Sequence, residues 1–100
     1  MSAEGAPPAD PDWLPSTQRA WDLYWRDPRA QDLISHSGPG LLLLEPLFDL
    51  YDEVKRLRKV LSVEDGIRWG HRMREYESAC LVTPELRRSL GLPDPPDKEG

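Results

Sequence analysis

Along the middle of the chain, Leu43, Leu47, Leu50, Val54, Leu57 and Leu61 fall 4, 3, 4, 3 and 4 residues apart. That spacing draws one seam along a helix, whereas the buried positions of a strand recur every second residue. Leu44, Phe48 and Tyr51 form a second stripe that widens the apolar face at its start. The pattern predicts a long helix over 41–61. Pro46 interrupts it, because proline lacks an amide hydrogen and crowds the turn before it. An early start with a kink is expected, since a loop would leave the leucines at 41–44 in water.

Four shorter segments flank this helix. Ser16–Arg26 reads as a helix capped by Ser16 or Thr17, with Ala20, Leu23 and Tyr24 on one face and Trp21 and Trp25 beside them. Asp27-Pro28 reads as a cap followed by proline at the first helical position, opening a helix over Pro28–Ile34. His36-Ser37-Gly38-Pro39-Gly40 is a turn by composition. Beyond the central helix, Ser62 caps a segment in which Trp69, Met73, Tyr76 and Cys80 repeat the 4, 3, 4 spacing. Thr83-Pro84-Glu85 opens a last short helix with Leu86 and Leu90 inward, Arg87 and Arg88 outward, and Gly91 as its stop. With no sustained period-two alternation, the expected fold is all-α: a small bundle of about five helices around a long leucine-rich one.

At 100 residues the chain has room for one domain. Prolines gather at both ends, so 1–12 and 93–100 are expected to be flexible and 13–92 to be the helical domain. A single cysteine, Cys80, excludes an internal disulfide and a thiolate metal cluster. The start of the chain lacks a secretory signal, and Leu41–Leu44 is far shorter than the roughly 20 apolar residues that span a bilayer. A soluble, intracellular protein without membrane contact is expected.

Reactive groups are sparse. His36 and His71 have no metal-ligand pairing, and Cys80 continues an apolar stripe, which reads as a buried structural thiol. Asp49, Asp52 and Glu53 read as a solvated helix face paired in part with Lys55, Arg56 and Arg58. Gly38-Pro39-Gly40 lacks the Lys-Ser/Thr of a phosphate loop. No metal, no cofactor and no catalytic activity are expected.

Charge is divided along the chain. Residues 1–54 hold ten acids and three bases, net -7, whereas residues 55–91 hold nine bases and five acids, net +4. The bases Lys55, Arg56, Arg58, Lys59, Arg68, Arg72 and Arg74 are therefore candidate DNA contacts, since phosphates attract such groups and release counterions on binding. Trp13, Trp21, Trp25 and Trp69 read first as core and second as stacking platforms. The two seams, Leu43, Leu47, Leu50, Val54, Leu57 and Leu61 with Trp69, Met73 and Tyr76, exceed what so small a bundle readily hides, which makes them a candidate oligomer interface.

The order of these features resembles one family of tailed-phage terminase small subunits. Gln18-Arg19-Ala20-Trp21-Asp22-Leu23-Tyr24-Trp25-Arg26-Asp27-Pro28 looks like its opening helix. Tyr51-Asp52-Glu53 lies in a leucine-rich helix similar to the family's next element. Val82-Thr83-Pro84-Glu85-Leu86-Arg87-Arg88-Ser89-Leu90 is similar to its closing Leu-Thr-Pro-x-x-Arg-Arg-x-Leu, and this resemblance adds Arg87 and Arg88 to the candidate DNA contacts. The resemblance spans about residues 13–92. It departs at Leu81, where the family commonly has glycine. It implies a non-catalytic component of genome packaging that forms a homo-oligomeric ring, engages viral double-stranded DNA and acts with the terminase large subunit in the host cytoplasm. A small helical adaptor that binds protein alone is the alternative.

Overall fold

A computed structural model describes residues 7–96, which form five helices and, among the described residues, no strand. They are α1 (Pro15–Arg26), α2 (Pro28–Ser35), α3 (Gly40–Leu57), α4 (Val63–Cys80) and α5 (Pro84–Ser89). Residues 1–6 and 97–100, parts of the two expected flexible flanks, lie outside the described residues.

Capping chemistry sets most of the boundaries. The side chains of Asp27, Ser62 and Thr83 accept from the backbone N–H groups of Arg29, Asp65 and Leu86 at 2.8, 3.1 and 3.1 Å. These bonds satisfy donors that a helix start leaves open. α1 begins one residue earlier than expected and without a side-chain cap: Pro15 occupies its first turn, and Thr17 is buried instead. α3 starts early and carries Pro46 inside it, as the leucine run requires, but ends at Leu57 rather than Leu61. The chain turns there, with Val60 N–H on the Leu57 carbonyl at 2.8 Å.

α3 and α4 form an antiparallel pair joined through residues 58–62. At their far end Gly40 admits close packing, since a Cβ there would collide with the Ser37 side chain and the Ala79 carbonyl. The Cys80 thiol donates to the Gly40 carbonyl at 3.2 Å, and the Ser37 hydroxyl donates to the Ala79 carbonyl. α1 crosses α3 through an aromatic cluster centred on Phe48, whose ring lies 4.9 Å from Trp21, 5.5 Å from Tyr51 and 5.9 Å from both Trp13 and Tyr24. The pairs of Phe48 with Trp21, Tyr24 and Tyr51 are edge-to-face, packing that adds about 0.5–1.5 kcal/mol per pair beyond burial. Leu23, expected inward, is 40% exposed, because Thr17, Ala20, Trp21 and Tyr24 take the inner face of α1.

The ends of the described chain pack against the bundle. Pro7 offers its carbonyl to Trp21 Nε1 at 2.8 Å, and Ala9 packs on the core. After Gly91 (φ 76°), Leu92 and Pro95 are buried and Pro96 lies over Gly66, where an added Cβ would stand 3.5 Å from the Pro96 carbonyl oxygen. Described residues on both sides of the expected 13–92 domain therefore pack against the helices. α4 is capped by Leu81, held at φ 60° in the left-handed region, with its N–H returned to the carbonyls of Glu77 and Ser78.

Candidate nucleic-acid interface

The nine candidate bases divide by what holds them. Arg87 is interior, at 4% exposure, which overturns its outward placement. Its Nη1 reaches Glu77 Oε1 and Oε2 at 2.8 and 3.0 Å, and its Nη2 reaches Asp94 at 3.2 Å. Tyr51 donates its hydroxyl to Glu77 Oε2 at 2.5 Å, and burial first and the Glu77 charge second raise the phenol well above its ordinary range. A carboxylate buried in α4 thus needs a cation, and α5 supplies it: Arg87 is structural and faces no phosphate.

Lys55 donates to Ser16 Oγ at 3.0 Å, joining α3 to α1. Arg56 reaches Asp52 at 2.7 Å and the Asp12 carbonyl at 2.5 Å, so it secures the segment before α1. Asp52 is 5% exposed and also accepts from Leu14 N–H at 2.8 Å, which corrects its expected place on a solvated face. Burial alone would raise its pKa, but the bonds from Arg56 and Leu14 outweigh that and hold it below the ordinary carboxylate value. Asp49 accepts from Trp13 Nε1 at 2.7 Å.

Arg58, Lys59, Arg72 and Arg88 are exposed and have no ion-pair partner among the described residues. Arg68 is exposed and held loosely by Asp65 at 3.5 Å. Arg58 and Lys59 leave the end of α3, while Arg68 and Arg72, one turn apart, share a side of α4. Arg58, Lys59 and Arg68 lie toward the α3–α4 corner, whereas Arg72 lies about 14 Å along α4 from Val63, in the groove with Asp49 and Glu53. Arg74 is exposed but lies two residues from Arg72, about 200° round the helix, and so points to another side. Arg88, on α5, stands apart from the corner. Glu53, Asp49, Trp69, Tyr76 and Arg72 line a shallow groove between α3 and α4, so the surface beside the corner is not uniformly basic.

The seams close on the chain itself. Leu47, Leu50, Val54 and Met73 are buried within the bundle, and Leu43, Leu57, Leu61, Trp69 and Tyr76 are half-buried. The buried line of α4 is Gly66, Gly70, Met73, Glu77 and Cys80, which leaves Trp69 and Tyr76 at its edge. The four buried residues are core and are not available to a neighbouring subunit, because α4 folds back onto the seam of α3.

Burial, with a further contribution from Glu77, pushes the Cys80 thiol up to about 11. His36 and His71 are exposed. Among the described residues no group of three His, Cys, Asp or Glu side chains is placed to hold a metal ion. No described helix is long and apolar enough to cross a membrane. Sequence reasoning missed Glu77, Asp94 and the Tyr51 hydroxyl as one network. Glu77 carried a faint signal, since it falls 4 residues after Met73 and 3 before Cys80 on the buried line.

Comparison of the chain with protein-family models, curated proteins and solved structures finds no match in any of the three.

Proposed function

We propose that this chain is a non-catalytic, DNA-engaging small subunit of a tailed-phage terminase, associating with itself and with the large subunit in the host cytoplasm. The observation that carries the reading is the α3–α4 corner, where Arg58 and Lys59 are exposed without ion-pair partners among the described residues and Arg68 is loosely held, with Arg72 exposed further along α4. Bases left unpaired in this way can neutralise phosphates without first breaking an internal bond. A second support comes from Leu81. The position where the resembling family commonly has glycine is the one non-glycine residue at positive φ among those described, the conformation that glycine adopts most readily.

Titration of a labelled duplex at a series of salt concentrations tests the reading. Four neutralised phosphates give a log-log salt slope of roughly -3.6, and Arg58→Glu with Lys59→Glu should weaken binding and flatten that slope. The protein-only adaptor is favoured by one specific observation, the exposed Leu41 and Leu42 beside an apolar cleft at the start of α3. Absence of duplex binding at low salt would select it.

A further inference from the structure

Asp49 and Glu53 stand one turn apart on the exposed side of α3 and line two adjoining cavities, of about 330 and 620 Å3. The smaller runs between α3 and α4, with Pro46 and Leu50 on one side and the half-buried rings of Trp69 and Tyr76 on the other. The larger runs between α3 and the segment before α1, where Asp10 and Asp12 add two more carboxylates. The bond from Trp13 Nε1 holds Asp49 in place. Asp10, Asp12, Asp49 and Glu53 make no ion pair among the described residues. Of the two bases in the lining, Arg56 is bound to Asp52, which leaves Arg72 as the unpaired one. Four free carboxylates therefore face one free base along an aromatic-walled groove, the reverse of the charge at the α3–α4 corner.

We propose that this groove takes an extended, arginine-bearing segment of a partner protein. Charge complementarity selects the occupant, because a cation there meets carboxylates that no base of the chain already holds. Spacing narrows the choice. Asp49 and Glu53 are separated by about 6 Å of helical rise, and alternate side chains on one side of an extended chain stand about 6.6 Å apart. An Arg-x-Arg segment thus brings one guanidinium to each carboxylate. Arginine fits better than lysine, since a planar guanidinium bonds a carboxylate through two N–H groups and stacks on rings such as those of Trp69 and Tyr76. Asp10 and Asp12 carry the acidic rim beyond this pair and attract bases that flank it. The same carboxylates repel phosphate, so the segment and a duplex occupy separate surfaces. The inference does not depend on DNA binding.

Anisotropy of a labelled, end-capped peptide with an Arg-Ser-Arg centre, titrated with the full chain at low salt and without DNA, tests this contact. Saturable binding that weakens as salt rises is expected. Glu53→Lys, at an exposed site, should weaken it about fivefold or more with unchanged helical circular dichroism. Glu85→Lys, at an exposed acid on α5, should leave it as in the wild type. Asp49→Asn serves as a second groove variant that should also weaken binding, and its amide oxygen can still accept from Trp13. A peptide of equal charge with an Arg-Ser-Ser-Arg centre should bind more weakly, because its arginines fall on opposite sides of an extended chain. Binding that is absent at low salt overturns the proposal. So does binding that Glu53→Lys leaves unchanged, or equal affinity for the two spacings, either of which shows attraction to surface charge alone. None of these outcomes bears on the duplex titration.

Discussion

Replacing Arg87 by alanine should cost stability rather than DNA affinity. The guanidinium makes two bonds to Glu77 and one to Asp94, and the side chains of the Glu77 pair are 5% and 7% exposed. Without Arg87 the Glu77 carboxylate stays buried with the Tyr51 hydroxyl as its remaining donor among the described residues. Breaking a buried pair from one side costs about 3–5 kcal/mol. Domains of this size have about 5–15 kcal/mol in total, so the loss is a large share of it. At about 4–8 °C per kcal/mol, Tm should fall by roughly 12–40 °C. Urea denaturation followed by circular dichroism at each variant's helical minimum measures this directly. Arg88→Ala, its exposed neighbour, should stay within about 0.5 kcal/mol of the wild type. Glu77→Met combined with Arg87→Met should cost less than Arg87→Ala alone, because no charge remains stranded. If Arg87→Ala unfolds like the wild type and loses duplex binding instead, the interior assignment is refuted.

Leu81→Gly should raise stability by roughly 0.5–1 kcal/mol, because leucine at φ 60° carries a left-handed penalty that glycine avoids; thermal melts read the gain. Cys80 should resist thiol reagents in the native protein through pH 9 and react at once in urea. Since its folded value of about 11 lies above the ordinary 9.0, the thiol's contribution is fully present below pH 9 and is lost between about 9 and 11, so stability should decline there. Leu50→Asp should unfold the chain rather than dissociate it, losing helical circular dichroism together with any assembly, since Leu50 is 7% exposed in the monomer.

Much of the architecture was legible because helix ends are local. Asp27, Ser62 and Thr83 cap their helices through neighbours two or three residues away, and Pro28 and Pro84 fall in first turns where their missing N–H is harmless. The 4, 3, 4 seams likewise marked which residues needed burial. They did not say what would bury them, because the α4 partner of Leu47, Leu50 and Val54 is chosen by the turn at residues 58–62 and by the close approach at Gly40. Arg87 was misplaced for a related reason. A helix of 6 residues has too few positions to define its own inner face, and the partner that draws Arg87 inward lies ten residues earlier on another helix. Asp52 looked like surface because its tie to Leu14 N–H spans 38 residues. At the end of α3, Arg58 and Lys59 are exposed, as a solvated helix face requires, whereas Lys55 and Arg56 turned to α1 and to the segment before it, contacts 39 and 44 residues away that spacing along one helix does not register.

The most direct test of the account is the salt dependence of duplex binding by the intact chain, measured beside Arg58→Glu/Lys59→Glu and Arg88→Ala. The account predicts affinity that falls steeply with salt, a slope reduced by about two phosphates in the corner variant, and a smaller effect for Arg88→Ala. Binding that is absent at low salt, or a slope that the corner variant leaves unchanged, would contradict it.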